Sequence, residues 1–353
     1  MLLSREYLYN LVTYKIKGPW AALLRGLLFV FSLVYGLVVV ILAGFYKLRP
    51  TRVNCKVISV GNITLGGTGK TALVEYLSAK LSSKGNKVAV LSRGYKRDVK
   101  QPGSHGMGDE PAMLQKKLPQ VPVIVDKDRL KAAVRAIKDY AVDTLILDDG
   151  LQQWRIFKDL EIITIDTQDP FGNFRLLPAG FLREPLTALS RADIFVLTQG
   201  DPDQDTAGLT AKLKRLNSRA LIVESRHKPE GFSNLNKPDE ILSIDSFKGE
   251  SKVVFSGIGN PQAFENTVHS LGINITEALR FTDHHDYTQA DLDDIIKCAR
   301  ERNSDTIITT EKDAVKIVRL RFDGVRILSL NIKLSIIKNE AEFDRRLLKL
   351  YSF

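Results

Sequence analysis

The chain has 353 residues, 44% of them hydrophobic, with a formal charge of +10 and two cysteines. That length suits two α/β units plus an extension, and the apolar content supports a large buried core, which excludes a largely disordered chain. Cys55 and Cys298 stand far apart and outside any CxxC or Cys/His cluster, which argues against a disulfide framework and a zinc site and fits a reducing compartment. The positive charge favours partners that carry phosphate. Nucleic acid is disfavoured among them, because the basic residues are spread along the chain and no RNA-binding, homeodomain or zinc-finger signature occurs.

The first stretch does not read as part of a soluble domain. From Gly26 to Tyr46, GLLFVFSLVYGLVVVILAGFY, there are 21 residues without a charge. As a helix they would span about 30 Å, the hydrocarbon thickness of a bilayer. Residues 1–46 are therefore expected to be a membrane-associated helical segment, with a buried core helix or a substrate-gripping hydrophobic cap as the alternatives. The run is too long and starts too late for a signal peptide, and it ends in FYKLRP in place of a small-residue cleavage site. Arg5, Lys15, Lys17 and Arg25 precede it while Lys47, Arg49, Arg52 and Lys56 follow it, so basic charge sets no orientation.

Next comes VISVGNITLGGTGKT, Val57 to Thr71. A β-branched strand feeds a turn with Gly66, Gly67 and Gly69, and a helix-forming run follows from Ala72 to Leu81. Strand, glycine loop and helix in that order make a phosphate site. The backbone N–H groups of Thr64, Leu65, Gly66, Gly67, Thr68 and Gly69 can turn towards an anion at a helix N-terminus, Lys70 can reach the outer phosphates, and the Thr71 hydroxyl suits Mg²⁺. One position departs from the usual spacing: Thr64 stands where a glycine is expected, six residues before Lys70.

KVAVLSRGY, Lys87 to Tyr95, reads as a second strand whose carboxyl end carries Arg93, near the ligand crevice of an open α/β sheet or simply in solvent. Asp109 and Glu110 open a helix running to Lys117; acids there complement the helix dipole, and an acid facing the phosphates is also where a base would sit. VPVIV is a buried strand, followed by the basic helix DKDRLKAAVRAIKDY. Leu145 to Leu147 then form an apolar strand ending in Asp148 and Asp149, the pattern of metal-directed carboxylates downstream of a phosphate loop. EIITID and DIFVLTQ add strands, joined by PFGNFRLLPAGFLREP, a link rich in Gly, Pro and Arg and too long for a plain connection. The core is thus placed at 47–226, a linker at 227–250 and a smaller α/β domain at 251–353. In that last part KVVFSGIGNP is a strand and turn with Pro261 starting a helix, His284 and His285 lie between Asp283 and Asp286, and TIITTEKDAVKI is a strand entering a helix.

These pieces together resemble a known family. SVGNITLGGTGKT, LSRGY, GDEP, VDKDR, LDDGLQ, LLPAGFLREP, FSGIGNP, FTDHHDY and TTEKDAVK occur in the order seen in the tetraacyldisaccharide 4′-kinases, the lipid A 4′-kinases, and Thr64 is also how that family's phosphate loop looks. The resemblance implies a P-loop NTPase-type, mostly parallel α/β domain, a second smaller α/β domain and an N-terminal membrane helix. It implies an enzyme that uses ATP and Mg²⁺ to phosphorylate the 4′-hydroxyl of a tetraacylated glucosamine disaccharide 1-phosphate, giving lipid IVA. The implied setting is the cytoplasmic face of the inner membrane, among phospholipid, with no obligate protein partner. Carried over, Gly66, Gly67, Gly69, Lys70 and Thr71 resemble the phosphate cradle and metal ligand, and Asp148 and Asp149 the metal-side acids. Asp109 resembles the general base, His284 its hydrogen-bonded partner, and Arg93 and Arg129 the acceptor pocket. The family often has histidine where this chain has Gln153. Two other readings stay open: a P-loop kinase with a different acceptor, and a membrane-tethered ATPase switch.

Overall fold

Short β-branched runs alternate with amphipathic helices along the chain, and that alternation dictates parallel strands joined by helical crossovers. The computed structural model describes residues 5–94, 109–198, 205–283, 285–322 and 324–352, with the backbone alone at 5, 6, 109, 110, 238 and 239. In chain order the elements are α1 (Arg5–Val12), α2 (Pro19–Leu48), β1 (Lys56–Gly61), α3 (Lys70–Ser83), β2 (Val88–Ser92), α4 (Asp109–Lys117), β3 (Val123–Val125), α5 (Arg129–Tyr140), β4 (Thr144–Asp148), β5 (Leu160–Asp166) and β6 (Ile194–Thr198). They continue with α6 (Ala207–Leu216), β7 (Leu221–Asn234), β8 (Lys237–Leu242), β9 (Ser251–Ser256), α7 (Pro261–Ser270), β10 (Asn274–Arg280), α8 (Gln289–Glu301), β11 (Thr306–Thr310), α9 (Glu311–Ile317), β12 (Arg326–Lys338) and α10 (Glu340–Leu348). The described residues fall into two compact units, one within 1–93, 121–226 and 336–353, the other within 94–120 and 227–335.

In the first unit the strand order is β7-β6-β5-β1-β4-β2-β3, with every pairing parallel. Val60 is level with Asp148 and Gly61 with Ile163, so β1, β4 and β5 end side by side. Each face of the sheet is closed by its own apolar cluster. Ile163, Phe171, Leu189, Phe195 and Leu213 pack on one side, and Val57, Leu145, Ala132, Ala133 and Ala136 on the other. From β1 the chain moves to β2 and β3 on one side, returns to β4 beside β1 and then crosses to β5 on the other side, and ligands of such sheets bind beyond the carboxyl ends at that switch point.

The N-terminal helices belong to this unit. Helix α2 has 30 residues and is apolar enough to cross a bilayer. It is nevertheless seated along one stripe, where Ser32, Gly36, Val39 and Ala43 are buried at alternating spacings of four and three. A side chain at Gly36 would displace Leu176, whose Cδ1 would lie 2.6 Å from its first carbon. Tyr35 Oη donates to the Arg183 carbonyl at 2.9 Å, and Asn173 Nδ2 donates to the Val12 carbonyl at 3.2 Å. The opposite face, with Leu33, Leu37, Ile41 and Phe45, is exposed.

In the second unit β10-β9-β11-β12 run parallel, β7 lies beside β12, and β8 is antiparallel to β7. Phe255, Leu292, Ile295 and Ile307 fill one face of this sheet and Phe232, Val254, Phe264 and Leu328 the other. Most of the expected linker at 227–250 lies in the sheet: β7 continues through Asn234 and turns into β8, which ends at Leu242. Its outer positions are polar, which is why it reads as a loop, while Phe232 and Asn234 point inward and are buried. The expected domain limits shift with it, since the described residues within 94–120 belong to the second unit and those within 336–353 to the first.

Candidate active site

The phosphate loop starts where β1 stops. Helix α3 begins at Lys70 because Gly69, at φ 76°, makes the left-handed turn that aims the first helical N–H groups back over the loop, and Gly66 adopts φ 118°. Hydroxyl groups anchor the loop to the sheet. Thr68 Oγ1 and Thr164 Oγ1 share a hydrogen bond at 2.7 Å, and Thr198 Oγ1 donates to the Thr68 carbonyl at 3.0 Å. Its other side pairs with the long Gly/Pro/Arg link, where Leu65 N donates to Phe181 O at 2.7 Å and Arg183 N to Ile63 O at 2.8 Å.

This pairing carries Arg183 to the carboxyl end of the sheet. Its Nη1 and Nη2 donate to the two oxygens of Asp149 at 2.6 and 2.9 Å, and Nη1 also reaches Asn62 Oδ1 at 3.3 Å. Lys70 Nζ donates to the same Asn62 oxygen at 3.1 Å and lies 4.0 Å from Asp149 Oδ1. Burial alone would raise the Asp149 carboxyl, but the Arg183 hydrogen bonds and the charges of Lys70 and Arg129 outweigh it and hold the group below the usual carboxylate range. Asp148 is buried and its Oδ2 accepts from Ser92 Oγ at 3.2 Å. Thr71, on the first turn of α3, is only 9% exposed.

A second group of charges supports the first from below. Glu184, 1% exposed, accepts from Arg191 Nη1 and Nη2 at 2.8 and 2.9 Å and from Gln152 Nε2 and Trp154 Nε1 at 3.2 and 3.3 Å. It fixes the residue next to Arg183, and Gln152 in turn donates to the Asn62 carbonyl at 3.4 Å.

Of the expected site residues, the first unit brings Lys70, Thr71, Asp148 and Asp149 to neighbouring strand and loop ends. Arg93 is exposed at the end of β2. Arg129 is buried, its Nη1 donating to the Asp126 carbonyl and its Nη2 to the Asp148 carbonyl at 3.3 Å, so it braces the turn that presents the two aspartates. In the second unit Asp109 is the first residue of α4; its side chain and the whole of His284 lie outside the described residues. The neighbouring His285 is stacked among Phe281 and Tyr287 and lies 3.2 Å from Asp291.

Among the described residues no three His, Cys, Asp or Glu side chains gather as a metal cage. A Mg²⁺ brought in with nucleotide phosphates requires less, a hydroxyl and an acid acting through water. Thr71 and Asp148 have that chemistry. Asp149, beside Asp148, accepts from Arg183 through both oxygens.

The sequence matches the family described as LpxK, tetraacyldisaccharide-1-P 4′-kinase, over residues 24–352. The chain belongs to the tetraacyldisaccharide 4′-kinase family. A relative named tetraacyldisaccharide 4′-kinase from Syntrophus aciditrophicus is 38% identical over 95% of this chain and 94% of its own length. One of the same name from Halothermothrix orenii is 38% identical over 89% and 88%. A crystal structure of LpxK from Aquifex aeolicus in complex with ATP is similar at a TM-score of 0.72 and 30% identity, covering 93% of this chain and 100% of that one. The expected mostly parallel α/β fold with an N-terminal apolar helix is what the 4′-kinase chain has. Sequence reasoning passed over Asn62 as a site residue and saw Arg183 only as part of a basic link. The one local signal for Arg183 was the length of that link.

Proposed function

We propose that this kinase transfers the γ-phosphoryl group of ATP to the 4′-hydroxyl of a tetraacylated glucosamine disaccharide 1-phosphate, giving lipid IVA. The observation that carries the reading is the anchored loop at Gly66–Gly69 with Lys70 at the N-terminus of α3, in a chain that belongs to the 4′-kinase family. The backbone N–H groups from Gly66 to Thr71 cradle the phosphates, and Lys70 supplies charge to those that gain it as the bond to the leaving group breaks. Thr71 and Asp148 would hold Mg²⁺, which neutralises phosphate oxygens when bound. Asp149 serves differently, by fixing the guanidinium of Arg183.

Asp109 takes the proton of the attacking 4′-hydroxyl, and His284 orients it; these two roles rest on the GDEP and DHHD motifs. Arg93 faces the anionic disaccharide phosphate, with Arg129 shaping the same end of the sheet from within. The exposed apolar face of α2 lies in the cytoplasmic leaflet of the inner membrane, where the lipid acceptor resides and ATP is available. The stripe of α2 that faces its own unit favours a helix lying in the membrane over one crossing it.

The test offers γ-labelled ATP, Mg²⁺ and the purified disaccharide 1-phosphate lipid, and separates lipid product from free phosphate. Label on the lipid, lost in Lys70→Ala, is the expected result. Label appearing only as inorganic phosphate would replace the kinase with an ATPase.

A further inference from the structure

Asn62 follows β1 directly and is fully buried, yet its side chain meets two of the strongest charges in the site. Its Oδ1 accepts from Lys70 Nζ at 3.1 Å and from Arg183 Nη1 at 3.3 Å, while its Nδ2 donates to the Thr64 carbonyl at 2.8 Å. Its own carbonyl accepts from Gln152, tying it to the Glu184 cluster. A residue of one amide group therefore touches the phosphate loop, the loop's lysine and the arginine of the facing link.

We infer that Asn62 is a positioning residue that holds Lys70 and Arg183 in place for phosphate without competing for them. Two cations brought together repel each other, and an oxygen between them offsets part of that cost. A carboxylate at the same point would be a buried, charge-assisted partner, roughly twice as strong as a neutral acceptor. Incoming phosphates would have to displace it. The amide oxygen orients both cations by its dipole and yields them to an anion at lower cost. Its NH₂ group meanwhile fixes the Thr64 carbonyl, so that this oxygen is satisfied within the loop and turned away from a phosphate. The asymmetry of the amide, acceptor towards the cations and donor towards the loop, is what the position requires. Aspartate has the shape and lacks the donor.

This inference rests on the phosphate-transfer reading, and it is tested by comparing Asn62→Asp with Asn62→Ala. Both variants lose the donor to Thr64, so their difference reports the new carboxylate, through its hold on the two cations and its repulsion of the Thr64 carbonyl. Binding of the fluorescent analogue mant-ATP is measured first, then KM for ATP and kcat in the lipid assay, with circular dichroism melting to confirm folding. Asn62→Asp is expected to bind mant-ATP at least about tenfold more weakly than Asn62→Ala and to raise KM for ATP by a similar factor. That excess is what a charge-assisted hydrogen bond to be broken implies. Asn62→Ala is expected to lower kcat about tenfold, since Lys70 then loses the Asn62 acceptor and Arg183 is held by Asp149 without it. Mant-ATP affinities within threefold of each other would overturn the inference and leave Asn62 a brace for the loop. If Asn62→Asp does not fold, Asp149→Asn reads the competition from the other side: mant-ATP affinity should be equal or higher, and a tenfold loss overturns the inference. Failure of the wild-type enzyme to label lipid would sink the kinase reading instead, and the mant-ATP comparison would remain interpretable.

Discussion

Arg183 grips both carboxylate oxygens of Asp149, at 2.6 and 2.9 Å, and this one pairing ties the long Gly/Pro/Arg link to the end of β4. The planar fork of arginine matches a carboxylate in a way an ammonium group does not. Arg183→Lys should therefore lose most of what Arg183→Ala loses. Both are expected to lower kcat/KM about 100-fold, roughly two charge-assisted hydrogen bonds misplaced. Full activity in Arg183→Lys would show that charge alone suffices.

The contrast between this pair and the phosphate loop explains what was legible in the sequence. Gly66, Gly69, Lys70 and Thr71 are read locally, because loop, cap and helix are consecutive and each residue type has a backbone reason to be there. The core strands are equally plain, since β1, β4, β5 and β6 are buried on both faces and read as continuous apolar runs. Asn62 and Arg183 lie 121 positions apart, and nothing local announces that one will accept from the other. The misread segment at 227–250 has a different cause. Pro229, Gly231 and Pro238 imitate a loop, but they fall where β7 and β8 form a hairpin with one wet face. Helix α10 is opaque for a related reason: Phe343 and Leu347 are its buried positions, too few apart from context to declare a helix.

Gly36 is the contact point between α2 and the link that carries Arg183. A leucine there would meet Leu176, because even its first side-chain carbon would be 2.6 Å from Cδ1. Gly36→Leu is expected to lower stability by about 1–3 kcal/mol, the usual cost of overpacking. Tyr35→Phe removes a single hydrogen bond to the Arg183 carbonyl and should cost about 1 kcal/mol. Thermal melts in detergent micelles check both, and an unchanged melt for Gly36→Leu would mean that α2 is not seated on this link in solution.

The outward face of α2 makes the opposite prediction. Leu37 and Ile41 are 62% and 58% exposed and lie one turn apart, so charges placed there disturb no packing inside the chain. Leu37→Glu combined with Ile41→Glu should leave the melt in detergent within about 0.5 kcal/mol of wild type. The same variant should float with phospholipid vesicles far less well, because two carboxylates would have to enter hydrocarbon. Equal flotation of variant and wild type would remove this face from the membrane contact.

Cys55 supplies a test that depends on pH. Burial, reinforced by the carboxylates of Asp159 and Asp143, pushes its thiol up to about 12. An unfolded thiol has a pKa of about 8.5, so folding favours the neutral form. The stability it contributes is fully present below about pH 8.5 and is lost as pH rises towards 12. At pH 9 the thiolate fraction of Cys55 in the folded protein should be about 1000-fold below that in the unfolded chain. In a Cys298→Ser background, alkylation by iodoacetamide at pH 9 should therefore be slow in buffer and fast in denaturant. Labelling at equal rates in the two conditions would show that the strand entry at Cys55 opens readily, and that burial at the amino end of β1 is not holding the thiol neutral.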